Sequence, residues 1–177
     1  KGERVLWGTA RVLAPTKKLC LPRIAAPSIQ LFDPEARFKA LLAQGHGMGP
    51  VRCAVVHPCD VESLRGALDA ARYGLIQPVL VGPEARIRRV AQEGALNLDG
   101  VEIISVAHSH AAAERSADLA LEKDVEMIMK GSLHTDELLH AVLKRPGLHT
   151  ARRMSHVFRF DVPMYSKPLL ITDAAFN

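Results

Sequence analysis

Residues 51–82 read VRCAVVHPCDVESLRGALDAARYGLIQPVLVG, and the rest of the fold follows from how this stretch is divided. Val51-Arg52-Cys53-Ala54-Val55-Val56 reads as a strand with little polar interruption, as expected where both faces are covered. Asp60 is a helix-capping residue type, and Leu64, Ala67, Leu68 and Ala71 follow it at helical spacing as far as Tyr73-Gly74. Pro78-Val79-Leu80-Val81 is then a second strand.

The unit repeats. Gly82-Pro83 leads into a helix ending near Glu93, and Val101-Glu102-Ile103-Ile104-Ser105-Val106 is a third strand. An Ala-rich helix from about His110 to Lys123 follows, then a fourth strand, Glu126-Met127-Ile128-Met129-Lys130, and a helix from about Thr135 to Leu143. Strand and helix alternate four times with short connections. The expected fold is therefore α/β, a three-layer αβα parallel sheet with helices on both faces.

Outward from this core the pattern changes on both sides. Val5 to Leu13 reads as one strand, and four prolines from Pro15 to Pro34, with Lys17 and Lys18, read as an exposed linker. Asp33-Pro34 is a helix start, followed by Phe38, Leu41 and Leu42 on one face and ended by Gly45, Gly47 and Gly49. Beyond residue 150, Met154 to Val162 and Leu169 to Thr172 read as two strands joined by a turn from Pro163 to Pro168. Two strands are marginal alone, so a domain boundary falls near 150 and the sheet is expected to be incomplete, the start of a second α/β domain.

Composition narrows the class. Of 177 residues, 48% are hydrophobic and 24% charged, which is average globular usage and excludes disordered and collagen-like chains. No apolar run reaches the roughly 18–20 residues of a membrane span, and no basic-then-apolar leader opens the sequence. Cys20, Cys53 and Cys59 form an odd set without a CxxC, as expected in a reducing, cytoplasmic setting. Lys1 and Asn177 do not read as natural termini, so a piece of a longer protein is expected.

Charge is segregated. Residues 1–50 carry eight Lys/Arg against three Asp/Glu, residues 51–143 nine against fourteen, and residues 144–177 six against two. Aromatics are only 5%, which argues against nucleic acid as a partner. The basic C-terminal stretch suits a phosphorylated small molecule better than a polynucleotide.

Ligands of open α/β sheets bind beyond the carboxyl ends of the strands, here His57-Pro58, Gly82-Pro83, His108-Ser109 and Lys130-Gly131-Ser132. The last carries the most chemistry. Lys130 brings charge, Gly131 close backbone approach, and Ser132 and Thr135 hydroxyl donors, at a helix N-terminus that favours an anion. The competing reading is an ordinary turn in which Ser132 or Thr135 only caps the helix. A second basic group is Lys144-Arg145, Arg152-Arg153 and Arg159, around Ser155-His156. Lys144 and Arg145 read as a solvated face, and Arg152 and Arg153 as better phosphate ligands. Cys53, His57 and Cys59, and separately His108 and His110, offer too few ligands for zinc, so no metal is expected, and Cys53 reads as a small core hydrophobe. Neither a Walker lysine motif nor GxGxxG is present.

Several of these stretches resemble phosphate acetyl/butyryltransferases. They are Ala54 to Pro58, Pro78 to Pro83, Met129 to Asp136, Arg153 to Phe158 and Leu169 to Asn177, in that order over residues 51–177. Val5 to Pro15 with its Pro-rich linker is similar to the tail of a hotdog-type enoyl-CoA hydratase domain, and bifunctional enoyl-CoA hydratase/phosphate acetyltransferases join the two parts in this order. The resemblance implies three segments: a hydratase tail and linker over 1–27, a first α/β domain over 28–150, and the start of a second over 151–177. It also implies an isocitrate/isopropylmalate dehydrogenase-like sheet and a homodimer. The implied reaction moves an acyl group between coenzyme A and phosphate, with coenzyme A as substrate and neither cofactor nor metal. Lys130, Gly131, Ser132 and Thr135 match the phosphate-side loop. Arg153, Ser155 and His156 match the entry to the second domain, in the cleft that takes coenzyme A or substrate. The family's principal catalytic serine, arginine and aspartate are expected beyond Asn177, so no catalytic residue is assigned within the chain. His140 departs from the arginine that acetyltransferase relatives often carry five residues after the loop threonine, so contacts from that position do not carry over.

A reading from another class is a regulatory module, similar to the acyltransferase-like domains of some bacterial malic enzymes that sense acyl-CoA without turnover. Residues 1–20 lean toward the hydratase fusion. A purely structural α/β domain is the third alternative.

Overall fold

A computed structural model describes residues 8, 9, 11, 16, 33, 35–45, 47–152, 154–162 and 165–172. The chain divides into two compact units, residues 1–32 and 33–177. The strand expected over Val5–Leu13 falls largely outside the described residues; Gly8, Thr9 and Arg11 within it carry no regular secondary structure.

The second unit begins with α1 (Ala36–Gly45), where the Asp33 carboxylate accepts the Glu35 N–H at 2.9 Å, as its position before the helix predicts. Next come β1 (Val51–Val56), α2 (Val61–Arg72), β2 (Ile76–Gly82), α3 (Glu84–Glu93), β3 (Glu102–Ser105), α4 (Ser109–Leu121), β4 (Met127–Lys130) and α5 (Thr135–Leu143). A single 3-10 turn at Pro146–Leu148 leads to β5 (Val157–Phe160) and β6 (Leu169–Thr172). No helix among the described residues is long and apolar enough to cross a membrane.

Strands β1 to β4 form one parallel sheet in the order β3-β2-β1-β4. β1 lies inside it, with Val51–Val56 in register with Ile76–Val81 on one side and Cys53–Val56 with Met127–Lys130 on the other. Pro78 lacks the N–H a ladder needs, and its place is tolerable because pairing with β3 begins only at Val79.

Alternation along the strands sorts side chains to two covered faces. Cys53, Val55, Ile76 and Leu80 face α2 and α3, packing with Leu64, Ala67, Ile87, Val90 and Ala91. Ala54, Val56, Val79 and Val81 face α4 and α5, packing with Ala112, Ala113, Ala117, Leu119 and Ala141. The alanines of α4 let its backbone lie close against the sheet. This is the three-layer αβα arrangement that the strand–helix alternation implies.

Polar ties fix the rims. Arg52 reaches from β1 to the Glu102 carboxylate at 2.9 Å and the Asp124 carbonyl at 2.9 Å, joining the starts of three segments. Arg145 donates to the Asp118 carboxylate at 2.6 Å and to the carbonyls of Ala141 and Glu114 at 2.7 and 3.0 Å. Its side chain is only 16% exposed, so Arg145 clamps α5 to α4 and is not part of a solvated basic face.

β5 and β6 pair antiparallel, Val157 opposite Thr172 and Phe160 opposite Leu169, as a separate sheet. Every residue of both strands is exposed. The Arg37 guanidinium on α1 meets this segment at the carbonyls of Val162 and Tyr165 and lies 3.9 Å from the Asp161 carboxylate.

Candidate functional site

The order of strands reverses at β1: the chain steps from β1 to β2 to β3 on one side, then crosses back to place β4 on the other. Such a reversal opens a crevice at the carboxyl ends of the two strands that flank it. Here those ends are Val56-His57 and Lys130-Gly131.

A cleft of about 540 Å³ lies there, lined by His57, Asp60, Arg86, Ser109, Lys130, Gly131, Ser132, Leu133, His134 and Glu137. The hydrogen bonds between β1 and β4 continue past the strands. Gly131 N–H donates to the Val56 carbonyl and Ser132 N–H to the His57 carbonyl, both at 2.9 Å. His57 itself is buried, with φ +52, in the left-handed region that few non-glycine residues enter. Its Nδ1 lies 2.6 Å from the Ser132 carbonyl.

Gly131 is a glycine for a reason different from the one its loop suggests. A Cβ there would overlap the Val56 carbonyl oxygen and lie 2.9 Å from the carbonyl carbon and oxygen of His57. The close approach is to the end of β1, and the glycine is what lets the loop seat against that strand.

Asp60 caps α2 as expected, accepting the Ser63 N–H at 2.8 Å and the Ser63 hydroxyl at 2.9 Å. The Ser63 N–H, with the Ser63 and Ser132 hydroxyls, holds the Asp60 carboxyl below its ordinary range against the opposing effect of burial. At the start of α5 the capping position is His134, and it makes no side-chain cap. Neither Ser132 nor Thr135 caps the helix, so the ordinary-turn reading fails in that respect. Asp136 and Glu137 occupy the first turn instead and complement the helix dipole there. A bound anion must therefore rely chiefly on Lys130 and Arg86, because the one proton of the Ser132 hydroxyl is given to the Asp60 carboxylate.

Of the loop residues read from the sequence, Lys130, Gly131 and Ser132 line the cleft, whereas Thr135 opens α5 exposed and is not among the lining residues. His140 is exposed on α5 and also does not line it. The second basic group does not converge on this cleft among the described residues. Ser155 and His156 precede β5, where the His156 ring packs edge-on against Phe158 at 4.0 Å. Arg152 lines a separate hollow of about 420 Å³ with Leu143, Leu148, His149, Thr150 and Met154. Arg153 lies outside the described residues.

The cysteine and histidine clusters have other roles. Cys53 is fully buried in the core, and burial pushes its thiol up to about 11. Burial also pushes the Cys59 thiol up. His108 caps α4, its Nδ1 accepting the Ala111 N–H at 3.2 Å. No group of three or more His, Cys, Asp or Glu among the described residues is arranged to hold a metal.

Sequence reasoning found the strand ends but missed Asp60, Arg86 and Glu137 as cleft residues. Each sits at the start of the helix that follows a strand, at the N-cap of α2 or in the first turns of α3 and α5. The signal was available: side chains at those positions share the end of the sheet where ligands bind.

No family model matches the chain. Among curated proteins it is 49% identical over 148 residues to the phosphate acetyltransferase of Rickettsia felis, a match covering 82% of this chain and 42% of that protein. It is 51% identical over 143 residues to the phosphate acetyltransferase of Rhizobium meliloti, covering 80% and 45%. It is 33% identical over 141 residues to the phosphate butyryltransferase of Clostridium beijerinckii, covering 79% and 47%. The chain spans less than half the length of these relatives. Among solved structures, a branched-chain phosphotransacylase from Enterococcus faecalis matches with TM-score 0.56 at 19% identity, over 72% of this chain and 44% of that one. A phosphotransacetylase from Streptococcus pyogenes matches with TM-score 0.62 at 13% identity, over 78% and 51%. These two show a shared α/β fold.

Proposed function

We propose that this chain carries the first α/β domain of a phosphate acyltransferase, which moves an acyl group, acetyl before butyryl, between coenzyme A and inorganic phosphate. The observation that carries the reading is the identity of about half over four-fifths of the chain to two phosphate acetyltransferases. The cleft where the strand order reverses supports it, since that is where an open α/β sheet takes its ligands.

In the forward direction a phosphate oxygen attacks the thioester carbonyl, the carbon–sulfur bond breaks, and the departing thiolate takes up a proton to leave as free coenzyme A. In reverse the thiol gives its proton to a base, its sulfur attacks the acyl phosphate, and phosphate leaves. Both directions build negative charge on the carbonyl oxygen beside an already anionic phosphate. Fixed positive charge and oriented donors there lower the barrier. Lys130 and Arg86 supply the charge, and the Ser132 hydroxyl becomes a donor to substrate only by turning away from Asp60. Asp60 and Glu137 oppose an anion on their side of the cleft and so bias phosphate toward Lys130 and Arg86. Coenzyme A is a substrate, and the reaction needs neither metal nor cofactor.

The finer sequence readings belong to the same proposal. Residues 1–27 are the tail of a hotdog-type hydratase and its linker, residues 28–150 the first domain, and residues 151–177 the start of a second, in a cytoplasmic homodimer with an isocitrate/isopropylmalate dehydrogenase-like sheet. Arg153, Ser155 and His156 then stand at the entry to that second domain.

The test is phosphate-dependent release of free thiol from acetyl-CoA and butyryl-CoA by the full-length protein that carries this chain. Thiol release that requires phosphate, with acyl phosphate formed in equal amount, is the expected result. Acyl-CoA binding with no acyl phosphate formed would sink the proposal in favour of a sensor.

A further inference from the structure

We infer that His57 is a positioning residue of the anion loop, fixing the Ser132 carbonyl through Nδ1 and with it the turn that presents Lys130 and Ser132 to the cleft. The phosphate in this inference rests on the acyltransferase reading; the geometry does not.

Several observations meet at this residue. Its φ of +52 carries a cost of the order of 1 kcal/mol or more for a non-glycine side chain, and such strain persists only where the surroundings enforce it. They do so here: His57 N–H donates to the Val81 carbonyl at 2.7 Å, and its carbonyl accepts from Cys59 at 2.8 Å and from Ser132 at 2.9 Å. The ring adds the 2.6 Å contact from Nδ1 to the Ser132 carbonyl. Ser132 is thus gripped at both its N–H and its C=O by one residue 75 positions earlier in the chain.

A carbonyl oxygen only accepts, so Nδ1 must carry the proton. That fixes the tautomer and leaves Nε2 without a protein partner among the described residues, in a side chain that lines the cleft. A left-handed turn alone would be served as well by Gly or Asn. What histidine adds is a ring nitrogen aimed at Ser132. Gly131 completes the device, because its missing Cβ is what allows the loop to close on the His57 carbonyl.

The experiment uses the full-length protein, with inorganic phosphate and acetyl-CoA, and compares His57→Ala with His57→Asn. Asn tolerates the left-handed backbone and places an amide N–H where Nδ1–H sits. His57→Ala is expected to raise KM for phosphate about tenfold, the loss of one partly buried hydrogen bond, with a smaller change in kcat. His57→Asn should recover most of that loss. An unchanged KM in the Ala variant would overturn the inference. So would an Asn variant as impaired as Ala, because the role would then belong to Nε2.

Two further readouts separate this inference from the reading it rests on. Nitrogen-15 shifts of the wild-type imidazole should show a protonated Nδ1, and the opposite tautomer overturns the positioning role with no variant needed. Hydrogen exchange at the Ser132 amide should be slow in the wild type and the Asn variant and faster in Ala. That pattern, in a protein that makes no acyl phosphate, would sustain the positioning of the loop while the acyltransferase reading falls.

Discussion

Val55 and Val56 on β1 are fully buried, whereas Val157 on β5 is 53% exposed and Leu170 on β6 66% exposed. Both regions are strands of apolar residues with their backbones paired. The difference lies in what covers them. Backbone pairing satisfies N–H and C=O groups but hides few side chains, and in the four-stranded sheet that task falls to α2 and α3 on one face and α4 and α5 on the other. Among the described residues no helix layer covers the two-stranded sheet, and Arg37 on α1 ties to the segment that joins its strands.

The comparison can be broken first at Gly131. Gly131→Ala forces a methyl group into the Val56 carbonyl, a backbone obstacle that cannot swing away, and should cost on the order of 4 kcal/mol and strip β4 from β1. Chemical denaturation, with loss of slow exchange at the Gly131 and Ser132 amides, checks it. Next is Leu64→Ala in the covered region, expected to cost about 3 kcal/mol because Leu64 is fully buried between α2 and the sheet.

Asp60→Ala should cost about 1 kcal/mol at neutral pH by removing the α2 cap. Because the folded protein holds the Asp60 carboxyl below its ordinary range, this contribution is complete above that range. It is lost as pH falls through the lowered folded value. The gap in melting temperature between variant and wild type should therefore close in strong acid, and a gap that persists there would place the effect elsewhere. Smallest of all is Leu170→Ser on β6, expected to change stability by less than about 0.5 kcal/mol, since little of this side chain leaves water. A cost rivalling that of Leu64→Ala would mean the hairpin is covered after all.

Much of the fold was legible in the residues themselves. The helical spacing of Leu64, Ala67 and Leu68, the cap at Asp60 and the apolar run of Val51 to Val56 each report on their own burial and geometry, and the elements stand where those signals put them. Neighbours were not legible. Periodicity tells which face of a strand is covered but not which strand lies beside it, and nothing local to Met127–Lys130 says that it pairs with β1. For that reason the loop was found while its surroundings were not: helix-start positions put Arg86 and Glu137 at the ligand end of the sheet, but that they share one cleft with Lys130 follows only from the strand order. Gly131 illustrates the same limit, since its fitness depends on a carbonyl contributed by Val56. Arg145 misled for a different reason, because a cation at a helix end is favoured by the dipole alone, and only the packing of α4 shows its bond to Asp118.

The edge position of β4 also has a kinetic side. β1, β2 and β3 are joined through short, local crossovers, but β4 must find β1 after the chain has travelled through five other elements, and that closure is entropically the most demanding in the sheet. The His57–Ser132 clamp forms only when it is complete. A folding intermediate with three strands paired would have most of the hydrophobic core and no cleft at all, so ligand affinity should be the last property to appear during refolding and the first to vanish when the edge strand frays.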